Sequence, residues 1–413
     1  MKTNIFRALK SRNYKLYFTG QAISLIGTWI QSTAMSWLVY RLTNSPVLLG
    51  ITAFLSQIPN LFLSPIAGVF LDRFSKHKIL VITQSLLMLQ AFILSILTLT
   101  NQIQIWHILL LSLILGIFNS IDAPTRQSFV IEMVEREEDL SNAIALNSFL
   151  FNSARLIGPS IGGFLISILG EGICFMINAI SYLAVLIALL FMKVKPMTST
   201  KTIHIISELK EGFYYAFKTL VVRYILIFIA ISSLLSSIYS VLLPIFAKDI
   251  LHGGPETLGI LTGSIGAGAL LGAIFLAGRQ KIKGIEKIIA QSFGTAGLGL
   301  LVFSISRNLY SSLLALFITG LSFMLISVCS NTLIQSIIDN HIRGRVMSIY
   351  VMFFMGATPI GSFLGGYLAK HIRPINTILI SSFLCFLCFI IYNYRLSLLK
   401  PYIYKILEEK HLN

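Results

Sequence analysis

Apolar residues run along this chain in long, nearly charge-free stretches separated by short polar turns. Twelve stretches stand out, over residues 15–40, 47–71, 79–100, 104–124, 141–169, 172–193, 223–247, 257–278, 285–306, 309–333, 345–369 and 374–396. Each is long enough for a helix to cross a hydrocarbon layer about 30 Å thick. The breaks carry turn chemistry, as in Thr43-Asn44-Ser45-Pro46 and His252-Gly253-Gly254-Pro255. Within the stretches apolar and polar residues do not alternate, which excludes the strands of a barrel. Helices then remain the one way to satisfy backbone polar groups inside a membrane. The pattern predicts an all-α membrane protein with twelve transmembrane helices.

The longest polar break lies midway, from Lys193 to Arg223. Inside it Ile206, Leu209, Phe213, Ala216 and Leu220 recur at three- and four-residue steps, opposite Glu208, Lys210 and Glu211, with Ser207 near the start. That spacing predicts an amphipathic helix lying on the inner membrane surface. It divides the chain into a first six-helix bundle over 1–193, a cytoplasmic linker over 194–222, a second six-helix bundle over 223–396 and a cytoplasmic tail over 397–413. The halves also repeat. Gly158-Pro159-Ser160-Ile161-Gly162-Gly163, near the end of the fifth span, is echoed 203 residues later by Gly361-Ser362-Phe363-Leu364-Gly365-Gly366, and Ala154 by Ala357. Gly68 before Asp72-Arg73 is echoed at a shift of 204 by Gly272 before Gly278-Arg279. Two pseudo-symmetric bundles of this kind predict parallel repeats around a site that opens to alternate sides.

Composition narrows the class further. The chain has 413 residues, 55% hydrophobic and 12% charged, with a mean hydropathy of +0.82. A soluble domain carries about twice that share of charge, so a soluble enzyme, a disordered chain and a secreted disulfide scaffold are all excluded. The net charge of +16 does not point to nucleic acid, because the cations are dispersed among the turns. With the N-terminus inside, 26 Lys and Arg fall on one side, 5 on the other, and Arg155 lies mid-span. That asymmetry places both termini in the cytoplasm. Cys174, Cys329, Cys385 and Cys388 lie in apolar stretches without polar ligands beside them and read as packing residues. The basic N-terminus before the first stretch lacks a placed cleavage site and reads as an uncleaved first span.

The segment Gly68-Val69-Phe70-Leu71-Asp72-Arg73-Phe74-Ser75-Lys76-His77-Lys78 resembles the signature between the second and third spans of the major facilitator superfamily. Its physics is readable without the family. Gly68 permits close helix approach, and Asp72 can accept from a helix N-terminus and pair with a cation such as Arg126. Gly68, Asp72, Arg73 and Lys76 are therefore candidate gating residues. The second half lacks the aspartate, with Leu276 at the matching position. Gly158-Pro159 with Gly162-Gly163 is similar to the fifth-span motif of the superfamily's exporters. Proline kinks the helix and the glycines allow tight contact, so these four residues join the gating set, and the resemblance implies export.

A narrower resemblance covers most of the first half. Arg12-Asn13-Tyr14, Gly20-Gln21, the run Trp37-Leu38-Val39-Tyr40-Arg41-Leu42-Thr43, Asp122-Ala123-Pro124-Thr125-Arg126 and Asn142-Ala143-Ile144-Ala145-Leu146-Asn147-Ser148 look like the enterobactin-exporter type of this superfamily. Leu243-Pro244, Leu258-Gly259 and Gly344-Arg345-Val346-Met347-Ser348 continue the likeness. The resemblance implies an exporter of a siderophore, with multidrug pumps among its relatives, in a bacterial cytoplasmic (inner) membrane. One departure stands out. Proton-coupled exporters often carry an arginine four residues before a glycine of the fourth span, whereas Ser112 here precedes Gly116.

Arg155 is costly near the bilayer centre and needs a cavity or a partner. Ser148, Asn152, Arg155 and Gly162 share one helix face. Arg155 and Asn152 are candidate substrate ligands, with a structural role near Pro159 as the alternative. Gln31, Asn119, Tyr239 and Asn331 are further candidates for a polar cavity, each with interhelical hydrogen bonding as the competing reading. Trp29 suits the site or an interfacial belt, and Trp37, beside Tyr40 and Arg41, suits the belt. Asp122 and Arg126, one turn apart, read as a paired inner-gate element. Asp72, Asp122, Glu132 and Asp339 fall near cytoplasmic ends, so the coupling ion stays open, protons being one candidate. No GxxxxGK[ST], HExxH or GxSxG constellation occurs, and no metal or cofactor is expected. The reading is a monomeric secondary transporter of a small molecule, driven by an ion gradient or the substrate's own. A siderophore exporter leads, a multidrug efflux antiporter or a lysophospholipid flippase-like transporter stands as alternative, and a membrane sensor or scaffold is a different class.

Overall fold

The computed structural model describes residues 6–71, 74–193, 205–279 and 282–410. Every regular element among them is helical. In chain order they are α1 (Arg12–Thr43), α2 (Pro46–Leu71), α3 (Lys76–Leu99), α4 (Ile105–Met133), α5 (Leu140–Leu190), α6 (Ile205–Lys218), α7 (Leu220–Ile245), α8 (Pro255–Ala277), α9 (Ile285–Ile305), α10 (Leu309–Ile337), α11 (Asn340–Ile372) and α12 (Pro374–Glu409). Ten helical stretches among the described residues are long and apolar enough to cross a membrane. One of them, α5, bends at Gly170, whose φ of +79° no side-chain-bearing residue adopts easily. It therefore supplies both the fifth and the sixth span. The remaining span is α1, too polar to reach the same hydropathy because Gln21, Ser24, Gln31 and Thr33 lie on it, all buried. A polar helix survives in hydrocarbon only when its own bundle covers those groups.

The sharp turns follow from local chemistry. Asn44 adopts the left-handed conformation that closes α1, and Pro46 then opens α2. Pro255 opens α8 in the same way; proline at a helix's first position costs no hydrogen bond. Large side chains such as Ile168, Leu190, Phe383 and Ile390 stand exposed on the surface, which suits lipid and not water.

Contacts divide the chain into two compact units. The first contains Met1–Asn44, Leu55–Thr202 and Gly253–Gly263, and the second Ser45–Phe54, Ile203–His252 and Ser264–Asn413. The opening turns of α2 thus pack within the second unit and those of α8 within the first. In the first unit an inner core of Tyr14, Leu80, Phe129, Met133, Leu146 and Leu189 is buried. In the second, Phe228 meets Phe293 and Tyr392 edge-on. The amphipathic linker segment forms α6, where Phe213 stacks on Phe217 and Phe217 meets Phe353 of α11. Beyond the twelfth span the chain stays helical as far as Glu409, with Leu399, Ile403 and Leu407 buried along one face.

Candidate functional site

The glycine run of α5 serves two helices at once. A Cβ built on Gly158 would stand 2.5 Å from the Cβ of Trp29, and one on Gly162 would stand 3.1 Å from the Cα of Ile30, so both glycines lie against α1. Gly163 points elsewhere: its Cβ would stand 2.8 Å from the Cα of Gly259 on α8 and would collide with the carbonyl of Pro255. Pro159 sits inside the helix, and its carbonyl would lie 2.5 Å from a Cβ on Gly259. The second unit repeats the plan. Gly361 lies against Leu234 and Ser237 of α7, and a Cβ on Gly365 would stand 3.0 Å from the Cα of Ile238. One on Gly366 would stand 3.0 Å from the Cα of Gly50 on α2 and collide with the carbonyl of Pro46. The crossings of Gly163 with Gly259 and of Gly366 with Gly50 are backbone against backbone, with nothing flexible to give way. Sequence reading found the α5 and α11 halves of these crossings and missed the partners. The missed signal is a repeated Pro-x-x-Leu-Gly, at Pro46–Gly50 and Pro255–Gly259.

At the end of the first unit where α3 begins and α4 closes, Asp122 is 1% exposed. Its Oδ1 accepts from Thr83 Oγ1 and Gln84 Nε2, each at 2.8 Å, and its Oδ2 lies 2.8 Å from Arg126 Nε. Two hydrogen-bond donors and the charge of Arg126 compensate the burial of the carboxylate. The expected Asp122–Arg126 pair is therefore formed. Lys76 pairs with Glu132 at 2.7 Å. Asp72 and Arg73 lie outside the described residues, as do the surroundings of Gly68; Gly272, the counterpart of Gly68, sits 3.3 Å from the carbonyl of Leu321 by the same Cβ measure.

The substrate-ligand candidates divide between the units. Gln31 is buried in a polar knot, donating to Gln90 Oε1 at 3.3 Å and accepting from Asn178 Nδ2 at 2.7 Å. Gln90 passes the chain on to the carbonyl of Leu111 at 3.2 Å. Both amide ends of Gln31 are thereby committed to joining α1, α3 and the second arm of α5. Arg155 and Asn152 are half-buried on the first arm of α5, where Asn152 donates to the carbonyl of Ser148 at 2.8 Å. One turn before Arg155, Phe151 meets Trp29 edge-on with ring centroids 6.1 Å apart. Asn119 is half-buried on α4. In the second unit Tyr239 is buried and stacked on Phe323 of α10 at 5.7 Å. Asn331, further along α10, accepts from Gln335 at 2.5 Å, and nearby Tyr350 donates to the carbonyl of Ser327 at 2.9 Å.

Two acidic residues escaped the sequence reading. Glu171 holds Arg41 with both carboxylate oxygens, at 2.7 and 3.3 Å. Glu286, fully buried at the start of α9, accepts from Tyr404 at 3.0 Å and from the backbone N–H of Gly284 at 3.0 Å. Partial burial and this carboxylate push the Tyr404 phenol up from its ordinary value. Among the described residues no cluster of three His, Cys, Asp or Glu could hold a metal ion, and the four cysteines are buried and unbridged.

The sequence matches a family model described as a transmembrane secretion effector over residues 3–402. It is 27% identical over 356 residues to the staphyloferrin A transporter of Staphylococcus aureus, covering 85% of this chain and 88% of that protein. It is 24% identical over 352 residues to the multidrug efflux pump Tap of Mycolicibacterium fortuitum, covering 83% and 86%. Among solved structures the fold matches the nucleoside transporter NupG with a TM-score of 0.73 and 15% identity, over 94% of this chain and 99% of that one.

Proposed function

From a chain that belongs to the transmembrane secretion effector family of the major facilitator superfamily, a multi-pass secondary transporter of small molecules, we infer export of a siderophore or similar small amphipathic molecule. The observation that carries the direction is the α5 run Gly158-Pro159 with Gly162 and Gly163, seated between α1 and the opening turns of α8. Its likeness to the exporter motif of the superfamily and the similarity to a staphyloferrin A transporter both support this reading.

Access alternates, on this reading, as the crossings at Gly163–Gly259 and Gly50–Gly366 tighten and part. The helices that move with them belong to the two sequence halves, 1–193 and 223–396, joined by the linker over 194–222. Arg155 attracts the anionic group and Asn152 hydrogen-bonds beside it. Asn119 in the same unit, and Tyr239 and Asn331 in the other, are the further polar candidates, while Gln31, with both amide ends taken, serves its own bundle. Asp122 with Arg126, and Lys76 with Gly68, Asp72 and Arg73, form the inner gate. The Lys and Arg asymmetry supports cytoplasmic termini, including the segment over 397–413, in a bacterial inner membrane. Protons are the coupling ion to test first, and the working unit is a monomer.

A multidrug reading has one specific support. The Trp29–Phe151 aromatic pair beside Arg155 would serve flat aromatic cargo, and the similarity to Tap agrees with it. The test is uptake into inside-out vesicles with iron-free staphyloferrin A, ethidium and a fluorescent lysophospholipid as parallel probes. Gradient-driven accumulation of staphyloferrin A supports the leading reading, and accumulation of ethidium alone supports the second. Movement of the lipid alone transfers the protein to lipid handling. Accumulation of staphyloferrin A only in right-side-out vesicles would reverse the direction inferred here.

A further inference from the structure

The helices that carry the glycine runs, α5 and α11, begin alike. Asp139 is the N-cap of α5 and Asp339 the N-cap of α11, and neither carboxylate caps its own helix. An N-cap aspartate normally accepts from the second or third N–H of its helix. Here each meets a cation from outside its helix instead, Asp139 in a buried position and Asp339 in an exposed one. Arg7, in a short 3₁₀ turn before α1, places Nε 3.1 Å from Asp139 Oδ1 and donates to the carbonyl of Glu138 at 2.5 Å. Lys410, just past α12, places Nζ 3.1 Å from Asp339 Oδ1 and donates to the carbonyls of Ile337 and Ile338 at 3.1 and 2.8 Å, closing the C-terminus of α10.

Each segment is also bedded into its own unit. On the first, the backbone N–H of Ala8 donates to Asn142 Oδ1 at 3.0 Å, and Ser11 Oγ accepts from the N–H of Glu135 at 3.1 Å. On the second, Leu399, Ile403 and Leu407 bury one face of the α12 extension, and Tyr404 reaches the buried Glu286. Lys283 stands near Glu408 at 3.7 Å and over the Tyr404 ring at 4.9 Å. The two straps share no sequence and no secondary structure, since one is a 3₁₀ turn and the other a helix. They nevertheless meet the same chemical end: a cation from outside the helix on the N-cap aspartate of the helix that makes the glycine crossing.

We propose that the segments that carry Arg7 and Lys410 are matched latches on α5 and α11. With a latch closed, the N-cap aspartate is held by that cation and the base of the helix is tied to its unit. With the latch released, the aspartate turns back to cap its own helix. A partly exposed ion pair and a single helix cap are contacts of similar, small strength, so the latch is poised to switch instead of being a permanent fastening. The base of the crossing helix is freed only when the strap lifts, which couples these segments to the transport cycle proposed above and rests on that reading.

The test uses the full-length protein with Ile403→Cys as a reporter on the buried face of the strap, and the parent protein, whose four cysteines are buried, as the blank. Maleimide labelling in inside-out vesicles is expected to speed up about fivefold in Lys410→Glu. Asp339→Asn loses the ion pair yet still caps the helix, and should do the same. The exchange Lys410→Glu with Asp339→Lys should return labelling to within about twofold of the parent. Transport of whichever of the three probes the parent carries, measured on the same vesicles, is expected to change with labelling and recover in the exchange. Unchanged labelling in both single variants would overturn the latch, as would an exchange that restores nothing. Faster labelling with an unaltered transport rate would overturn its part in the cycle. If the parent moves no probe at all, the transport reading fails while the labelling arms still decide whether the latch exists.

Discussion

Gly163→Ala adds one methyl group where the structure leaves no room for it. The new Cβ would stand 2.8 Å from the Cα of Gly259 and 3.0 Å from its backbone nitrogen, and would press on the carbonyl of Pro255. All three are backbone atoms of α8, so relief requires the two helices to separate by most of an ångström. Overpacking of this kind costs about 1–3 kcal/mol. The cost falls only on the state in which the crossing is closed, so it shifts the balance between closed and open crossings by about five- to 150-fold. Gly366→Ala should behave alike, because its Cβ would stand 3.0 Å from the Cα of Gly50. Gly344→Ala is the control: nothing lies within 4 Å of its Cβ position, and alanine favours the helix. The assay joins transport of whichever probe the parent carries to maleimide labelling of Leu258→Cys, a position buried beside the crossing. Labelling should rise and transport fall in both crossing variants and stay at the parental level in the control. Parental labelling and transport in Gly163→Ala and Gly366→Ala would refute the reasoning.

Three further outcomes follow from the same geometry. Arg155→Ala should abolish transport of staphyloferrin A while membrane expression stays normal, and Arg155→Lys should keep part of it; lost expression with normal activity per molecule would make the residue structural. Asp122→Ala leaves Arg126 without its carboxylate in a buried site, so the purified protein should lose about 3 kcal/mol of stability in thermal unfolding. The double variant Asp122→Ala with Arg126→Ala should lose less than the two single effects combined. Arg41→Ala breaks an ion pair whose arginine is half-exposed, so its melting should shift by no more than about 1 kcal/mol allows.

The spans were legible because a membrane helix needs a continuous apolar run, and such runs survive in any reading frame of packing. Even the bend in α5 was visible, since Gly170 interrupts the run where one span must become two. The polar residues were less legible, and Gln31 shows why. An amide in the middle of an apolar helix is written the same way whether it faces a cavity or another helix. Only the positions of Gln90 and Asn178 reveal that both of its ends are taken. The Asp122–Arg126 pair could be read because both partners lie one turn apart on one helix. Arg41 and Glu171 stand 130 residues apart, and no local rule joins them. The glycine crossings fall between these cases. The glycines of α5 and α11 declared themselves by repetition, and the Pro-x-x-Leu-Gly partners repeat too, but at a shift of 209 instead of 203. The extension of α12 was hidden by Pro401, which argues for a break although the buried face continues past it.

The central claim is that the crossing between α5 and α8 must part for cargo to move. Ser160 and Gly263 face each other across it, with 3.6 Å between the Ser160 Cβ and a Cβ built on Gly263, a separation that suits a disulfide. Ser160→Cys with Gly263→Cys should cross-link on mild oxidation. Transport into inside-out vesicles should then stop, and return when the bond is reduced. A fully cross-linked protein that carries its probe at the parental rate would contradict the account.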